Sequence, residues 1–240
     1  SGAADGLSDA RLALACASHQ GASLHTAAVH ERLAEMGMGA DDLRCGAQMP
    51  QDRLAFNTLI KTDGSPCQAH NACSGKHTGF ITLARHLKAP GNYIDINHPV
   101  QKACLDAFEE LTEETSPGYG LDGCSAPNFI CTMQGMARAM GWFSAAREGE
   151  SVRRSAAARL VDAMHAHPEM VAGERRACTE LMRACHEKVA LKTGAEGYFV
   201  AILPTRKLGV ALKIQDGSTR AANCTITALL VRLGLLHPEH

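Results

Sequence analysis

Apolar residues recur at helical spacing through most of this 240-residue chain and give way to short, strand-like runs only near its end. Val29, Leu33 and Met36 follow Ser23, which is placed to cap a helix that stops at Gly37. Phe80, Leu83, Ala84 and Leu87 form a second stripe ending at Pro90-Gly91, and Ser74 just ahead of it reads as the N-cap. Asn97-His98-Pro99 opens a third helix with Cys104, Phe108 and Leu111 on one face. After a loop at 118–129, Met133, Met136, Ala137 and Met140 mark a fourth helix, its methionines read as core. Leu160, Val161 and Met164 mark a fifth that runs to Pro168. Residues 38–69 show no dominant period, and Pro50, Gly64 and Pro66 punctuate them as turns.

Beyond residue 188 the pattern changes. VALKTG (189–194), GYFVAILP (197–204) and LGVALKI (208–214) are short runs bounded by Gly, Pro and basic turns, the signature of adjacent antiparallel strands. A last helix from about Ser218 to Leu235 carries Ile226, Leu229, Leu230 and Leu233. The reading is one α+β domain over 1–240, helical over about 1–188, with a sheet and terminal helix over about 189–236.

Composition narrows the function classes. Lys+Arg 24 against Asp+Glu 25 offers no electrostatic reason to expect nucleic acid or an anionic membrane as partner. No apolar run approaches a membrane span and no signal-peptide pattern opens the chain, so a cytoplasmic protein is expected. Ten cysteines scattered without regular spacing read as core residues or metal ligands rather than a disulfide framework. A homodimer is the default assembly.

One stretch, HNACSGKHTGF (70–80), is too polar for core and too rich in reactive groups for an ordinary loop. Cys73 falls where loop becomes helix, a position whose dipole lowers a thiol's pKa, and Lys76 lies one turn on. A metal site here would need Cys73, Lys76 and the distant Cys124; the plainer reading makes Cys73 a buried loop residue and Lys76 an anion contact. The Walker A spacing fails, with His at both 70 and 77. Lys76 and the N–H groups near Ser74 and Gly75 are candidate receptors for charged oxygen, and His19 and His77 are either general bases or satisfied loop histidines. Lys192-Thr193-Gly194 on the first strand is similar to the K-T-G element of serine enzymes in which a lysine amine takes a serine's proton.

LSDARLALACASHQG (7–21), HNACSGKHTGF (70–80), DGCSAPNF (122–129), HPEMVAG (167–173), KTGAEG (192–197) and ALKIQDGSTRA (211–221) together resemble the bacterial L-asparaginase II family, the thermolabile or rhizobial-type asparaginases. The resemblance implies a fold like that of β-lactamases, penicillin-binding proteins and serine glutaminases. It also implies hydrolysis of L-asparagine to L-aspartate and ammonia by serine–lysine acyl transfer. Carried onto this chain, Ser18, Lys192 and Asp122 are the catalytic set, with Asp122 accepting hydrogen bonds from the substrate's ammonium or a metal-bound water. His19, Asn71, Lys76, His77 and Gly194 surround the substrate, and Cys73, Lys76 and Cys124 match a cluster that looks like a zinc site.

Three departures stand against the pattern. The resemblance implies an N-terminal S-x-x-K that supplies the primary nucleophile and its base, with Ser18 as the second motif serine, whereas this chain begins at Ser1 and contains no S-x-x-K, so a fragment or a naturally short, impaired homologue is expected. Ala72 replaces an Asn, and Cys178 stands where an acidic residue is usual. The alternatives are an amino-acid- or metal-binding protein that has lost hydrolysis, and a glutaminase-type amidase. An N-terminal nucleophile at Ser1 is disfavoured, because such enzymes have β-rich sandwiches that this pattern lacks.

Overall fold

The computed structural model describes residues 6–239; Ser1 lies outside them. The fold is α+β, with a helical body and two small antiparallel sheets. Helix α1 (Asp9–Ala15) buries Leu12, Ala13 and Leu14 and packs against three of the helices described below, α4, α7 and α8. Helix α2 (Ser23–Glu35) buries Val29 and Leu33 completely and ends at Met36, followed by Gly37 in the left-handed region (φ 70°). Its N-cap is Ala22 rather than Ser23, because Ala22 is already extended and its N–H donates to His25 Nδ1 at 3.1 Å.

Helix α3 (Arg53–Lys61) arises inside the stretch without a dominant period. Asp52 caps it, accepting from the Ala55 N–H at 2.9 Å, but the helix buries none of its residues. Helix α4 (Ser74–His86) begins one residue earlier than expected. Cys73 occupies the cap position, and the Ser74 hydroxyl donates instead to Ala69 O at 2.9 Å. Helix α5 (Pro99–Thr112) opens as read, with Pro99 in the first turn and His98 Nδ1 accepting from the Val100 N–H.

Residues 118–129 are not a plain loop. Strands β1 (Tyr119–Leu121) and β2 (Pro127–Phe129) pair antiparallel, and Asp122 N–H donates to Ala126 O at 3.0 Å to close the turn that carries Cys124. Helices α6 (Met133–Ala145), α7 (Val152–Ala166), α8 (Pro168–Val171) and α9 (Ala177–Ala184) follow, the first two capped by Thr132 and Ser151 hydroxyls.

The second sheet has the order β3-β4-β5, formed by Ala190–Thr193, Tyr198–Leu203 and Leu208–Lys213. Lys192 pairs with Val200, and Ala201 with Val210. The central strand β4 is buried on both faces; Phe199, Ala201 and Leu203 have no exposed surface. Helix α6 lies so close on β5 that a Cβ at Gly209 would sit 2.1 Å from Gly141 N. Helix α10 (Thr219–Arg232), capped by the Ser218 hydroxyl, also packs on β4 and β5. All ten cysteines are free thiols, and among the described residues no helix is long and apolar enough to cross a membrane.

Candidate active site

Ser18 leaves the end of α1 in an extended segment held on both sides. Its N–H donates to Val171 O, the His19 N–H to Ala72 O and the Gln20 N–H to Ala172 O, each at 3.0 Å. The segment is thereby clamped between the loop that precedes α4 and the turn that follows α8. Ser18 faces a cavity of about 1670 Å³. Lys192 enters the same cavity from β3, its Nζ 2.7 Å from Ser18 Oγ and also bonded to Thr193 O. Burial pushes the Lys192 amine below its ordinary pKa, and the nearby sulfurs of Cys178 and Cys73 only partly oppose that shift.

A second cluster lines this cavity. The β1–β2 turn presents Asp122 and Cys124 to the start of α4, where Cys73 and Lys76 are one turn apart. The ligand atoms of Cys73, Asp122 and Cys124 all lie within 4.8 Å of one another. Lys76 Nζ is 3.1 Å from Cys124 Sγ and 3.3 Å from Asp122 Oδ2. Two sulfurs, an amine and a carboxylate at this separation suit a borderline-soft divalent cation such as zinc.

The thiol electrostatics correct the expectation drawn from the helix start. Cys124, not Cys73, holds the depressed pKa: Cys73 donates to it, and His77 and the Lys76 charge add to its anionic stabilisation. The Cys73 thiol is pushed up, first by that shared hydrogen bond and then by burial. Cys73 sits at the helix start, yet the hydrogen bond with Cys124 and burial outweigh the dipole there. Burial alone would lower Lys76, but the sulfurs of Cys73 and Cys124 and the Asp122 carboxylate outweigh it and its pKa is raised.

Ser18, Asp122, Lys192, Cys73, Lys76 and Cys124 all line the cavity, as do Asn71 and Gly194. Asn71 is spent on the loop itself: its amide donates to Cys45 O at 2.7 Å and its carbonyl accepts from the Cys73 N–H at 2.9 Å. His19 and His77 lie behind the cavity wall. Ser74's hydroxyl proton is committed to Ala69 O, so His19 Nε2 donates to Ser74 Oγ, while its Nδ1 accepts from the Gly21 N–H. Burial, with His25 stacked 4.6 Å away, pushes its pKa down to about 3, which makes it a neutral structural group. His77 is fully buried, with Nδ1 2.9 Å from Tyr93 Oη; the Tyr93 oxygen in turn accepts from the Arg44 N–H. Its Nε2 has no hydrogen-bond partner among the described residues, and the ring favours the Cys124 thiolate. The Ser74 N–H, a candidate oxygen receptor from the sequence, is bonded to Asn71 O, and Ser18's own N–H is taken by Val171 O.

Sequence reasoning missed other residues of the cavity wall. Gln48 accepts from the Ala72 N–H at 3.1 Å, which fixes the backbone just before Cys73. Arg176 and Gln51 meet across the cavity's edge, and no motif spacing points to either.

Comparison with curated proteins finds none that matches. A sequence model described as L-asparaginase II matches residues 1–240, the whole chain. The chain therefore belongs to the L-asparaginase II family and is, at family level, an asparaginase-like amidohydrolase with a small-molecule substrate.

Proposed function

We propose that this protein hydrolyses the side-chain amide of L-asparagine by acyl transfer through Ser18, with Lys192 as the base. The observation that carries this reading is the 2.7 Å approach of Lys192 Nζ to Ser18 Oγ inside the cavity. Burial favours the neutral amine, which is the form able to take a hydroxyl proton. As Oγ adds to the amide carbon, its proton moves to Nζ; the resulting ammonium returns it to the leaving nitrogen, and ammonia departs. Lys192 then takes a proton from water, which cleaves the acyl ester and releases L-aspartate, restoring the Ser18 hydroxyl.

Cys73, Cys124 and Lys76 would hold zinc beside this pair, with Asp122 at its edge. Bound zinc supplies a Lewis acid that anchors polar substrate atoms and stabilises charge on oxygen. Lys76 must lose its proton to serve as a ligand, so its raised pKa couples metal loading to proton release. The same reading makes the helical body and the β3-β4-β5 sheet a β-lactamase-like arrangement with K-T-G on its first strand.

The test is ammonia release from L-asparagine and L-glutamine by zinc-loaded protein, with Lys192→Ala alongside. Release from asparagine that falls at least about 100-fold in the variant is expected. A wild-type protein that liberates no ammonia from either amide overturns the reading.

A further inference from the structure

The cavity that contains Ser18 and Lys192 also contains a guanidinium without an acid partner. Arg176 makes one side-chain hydrogen bond, from Nη1 to Gln51 Oε1 at 2.5 Å, and forms no ion pair among the described residues. The lysines of the cavity wall are committed. Lys76 is held by Asp122 and Cys124, Lys192 by Ser18 and Thr193 O, and Lys213 by the carbonyls of Glu196 and Ile214. Arg175 is exposed at the rim, whereas Arg176 is half-buried and fixed at one nitrogen. Among the described residues its Nε and Nη2 make no hydrogen bond, which leaves a planar fork suited to a carboxylate.

The placement of this group is tied to the serine through one residue. Gln20, two positions beyond Ser18, accepts through its carbonyl from the N–H groups of Gln51 (2.8 Å) and Asp52 (2.9 Å). Its side-chain amide donates to Asp52 Oδ2 and lies against Gly173, where a Cβ would fall 2.4 Å from Gln20 Cδ. Gly173 has φ 114°, and its carbonyl accepts from the buried Thr179 hydroxyl at 2.7 Å, which sets the turn leading to Arg176. Gln20 thus anchors both partners of the Arg176–Gln51 pair.

We propose that Arg176, steadied by Gln51, is the receptor for the substrate's α-carboxylate, so that the cavity selects amides carrying a free carboxylate. This rests on the amide-hydrolase reading above. An amino-acid amide brings one carboxylate and one ammonium; the uncommitted guanidinium meets the first and the Asp122 side of the cavity the second. Amides whose α-carboxylate is itself blocked lose that anchor.

The experiment is calorimetric titration of zinc-loaded Ser18→Ala protein, which binds without turnover, using L-asparagine and its α-carboxamide analogue, L-aspartamide. Arg176→Gln in this background is expected to weaken L-asparagine by about 30-fold, the loss of a charge-assisted pair of hydrogen bonds. Gln51→Glu leaves the guanidinium in place but gives it a competing carboxylate, and weakens L-asparagine by about 10-fold. Neither change moves the affinity for L-aspartamide by more than about 3-fold, since that ligand offers no carboxylate. Unchanged asparagine affinity in both variants, or equal weakening of the two ligands, overturns the inference and leaves the hydrolase reading standing. Failure of the Ser18→Ala protein to bind either ligand overturns that reading, and this inference with it.

Discussion

Ser18 Oγ and Lys192 Nζ meet at 2.7 Å although 174 positions separate them in the chain. The contact exists because Ser18 is clamped by Val171 O while β3 delivers Lys192 from the far end of the sequence. Lys192→Met and Ser18→Ala are each expected to lower asparagine hydrolysis by about 100-fold or more while leaving the melting temperature near wild type. Lys192→Arg keeps the charge but cannot supply a neutral base, and is expected to be as inactive. Because burial lowers the Lys192 pKa, wild-type kcat/KM rises with pH as the amine loses its proton; an ammonia assay across the neutral and alkaline range reads this limb.

The Cys73–Cys124–Lys76 cluster predicts metal content. Purified wild-type protein is expected to carry near-stoichiometric zinc by elemental analysis. That content falls sharply in Cys124→Ala, which removes the thiolate, and in Cys73→Ala. Cys178→Ala, outside the cluster, retains zinc. A folded wild-type protein without zinc in metal-replete medium refutes the ligand assignment.

The two glycines of GKHTG differ in what surrounds them. A Cβ at Gly75 would lie 2.2 Å from Leu14 O and 2.8 Å from Leu14 Cγ, whereas one at Gly79 meets only Ala15 Cβ at 3.4 Å. Gly75→Ala must push α1 away from α4 and is expected to cost about 1–3 kcal/mol. Gly79→Ala removes a helix-weakening residue and is expected to be neutral or stabilising by up to about 1 kcal/mol. Urea unfolding of both variants decides this.

The stacked pair His19–His25 predicts acid sensitivity. Burial depresses both imidazoles, His19 from 6.5 to about 3. Between those values an unfolded His19 binds the proton that the folded ring refuses, so stability is full above about 6.5 and declines as pH falls through the window, at about 1.4 kcal/mol per pH unit for His19, with His25 adding in the same direction. His19→Gln should flatten that decline in thermal unfolding measured against pH. An unchanged slope argues that carboxylates, not these rings, govern acid unfolding.

Local pattern determined much of the architecture. The stripes through Val29, Phe80, Cys104, Met136 and Val161, and the three C-terminal runs, mark α2, α4, α5, α6, α7 and the β3-β4-β5 sheet within a few residues. Helix α3 escaped because its apolar residues face solvent: Leu54 is 75% exposed and Ile60 63%. Helix α1 is only two turns long, and the strands of the β1–β2 hairpin have three residues each, with β1 exposed throughout. The reactive residue types at 18, 73–76, 122–124 and 192 were equally visible in the sequence, since chemistry follows composition of the motif. Tertiary structure alone decided that His19 and His77 are sealed behind the wall, that Cys73 and Cys124 come together with Asp122, and that Arg176 finds Gln51 across 125 positions. Helical periodicity and capping depend on neighbours within one or two turns, so sequence suffices for them. Burial and contacts near 3 Å depend on how remote segments pack, which no local pattern encodes.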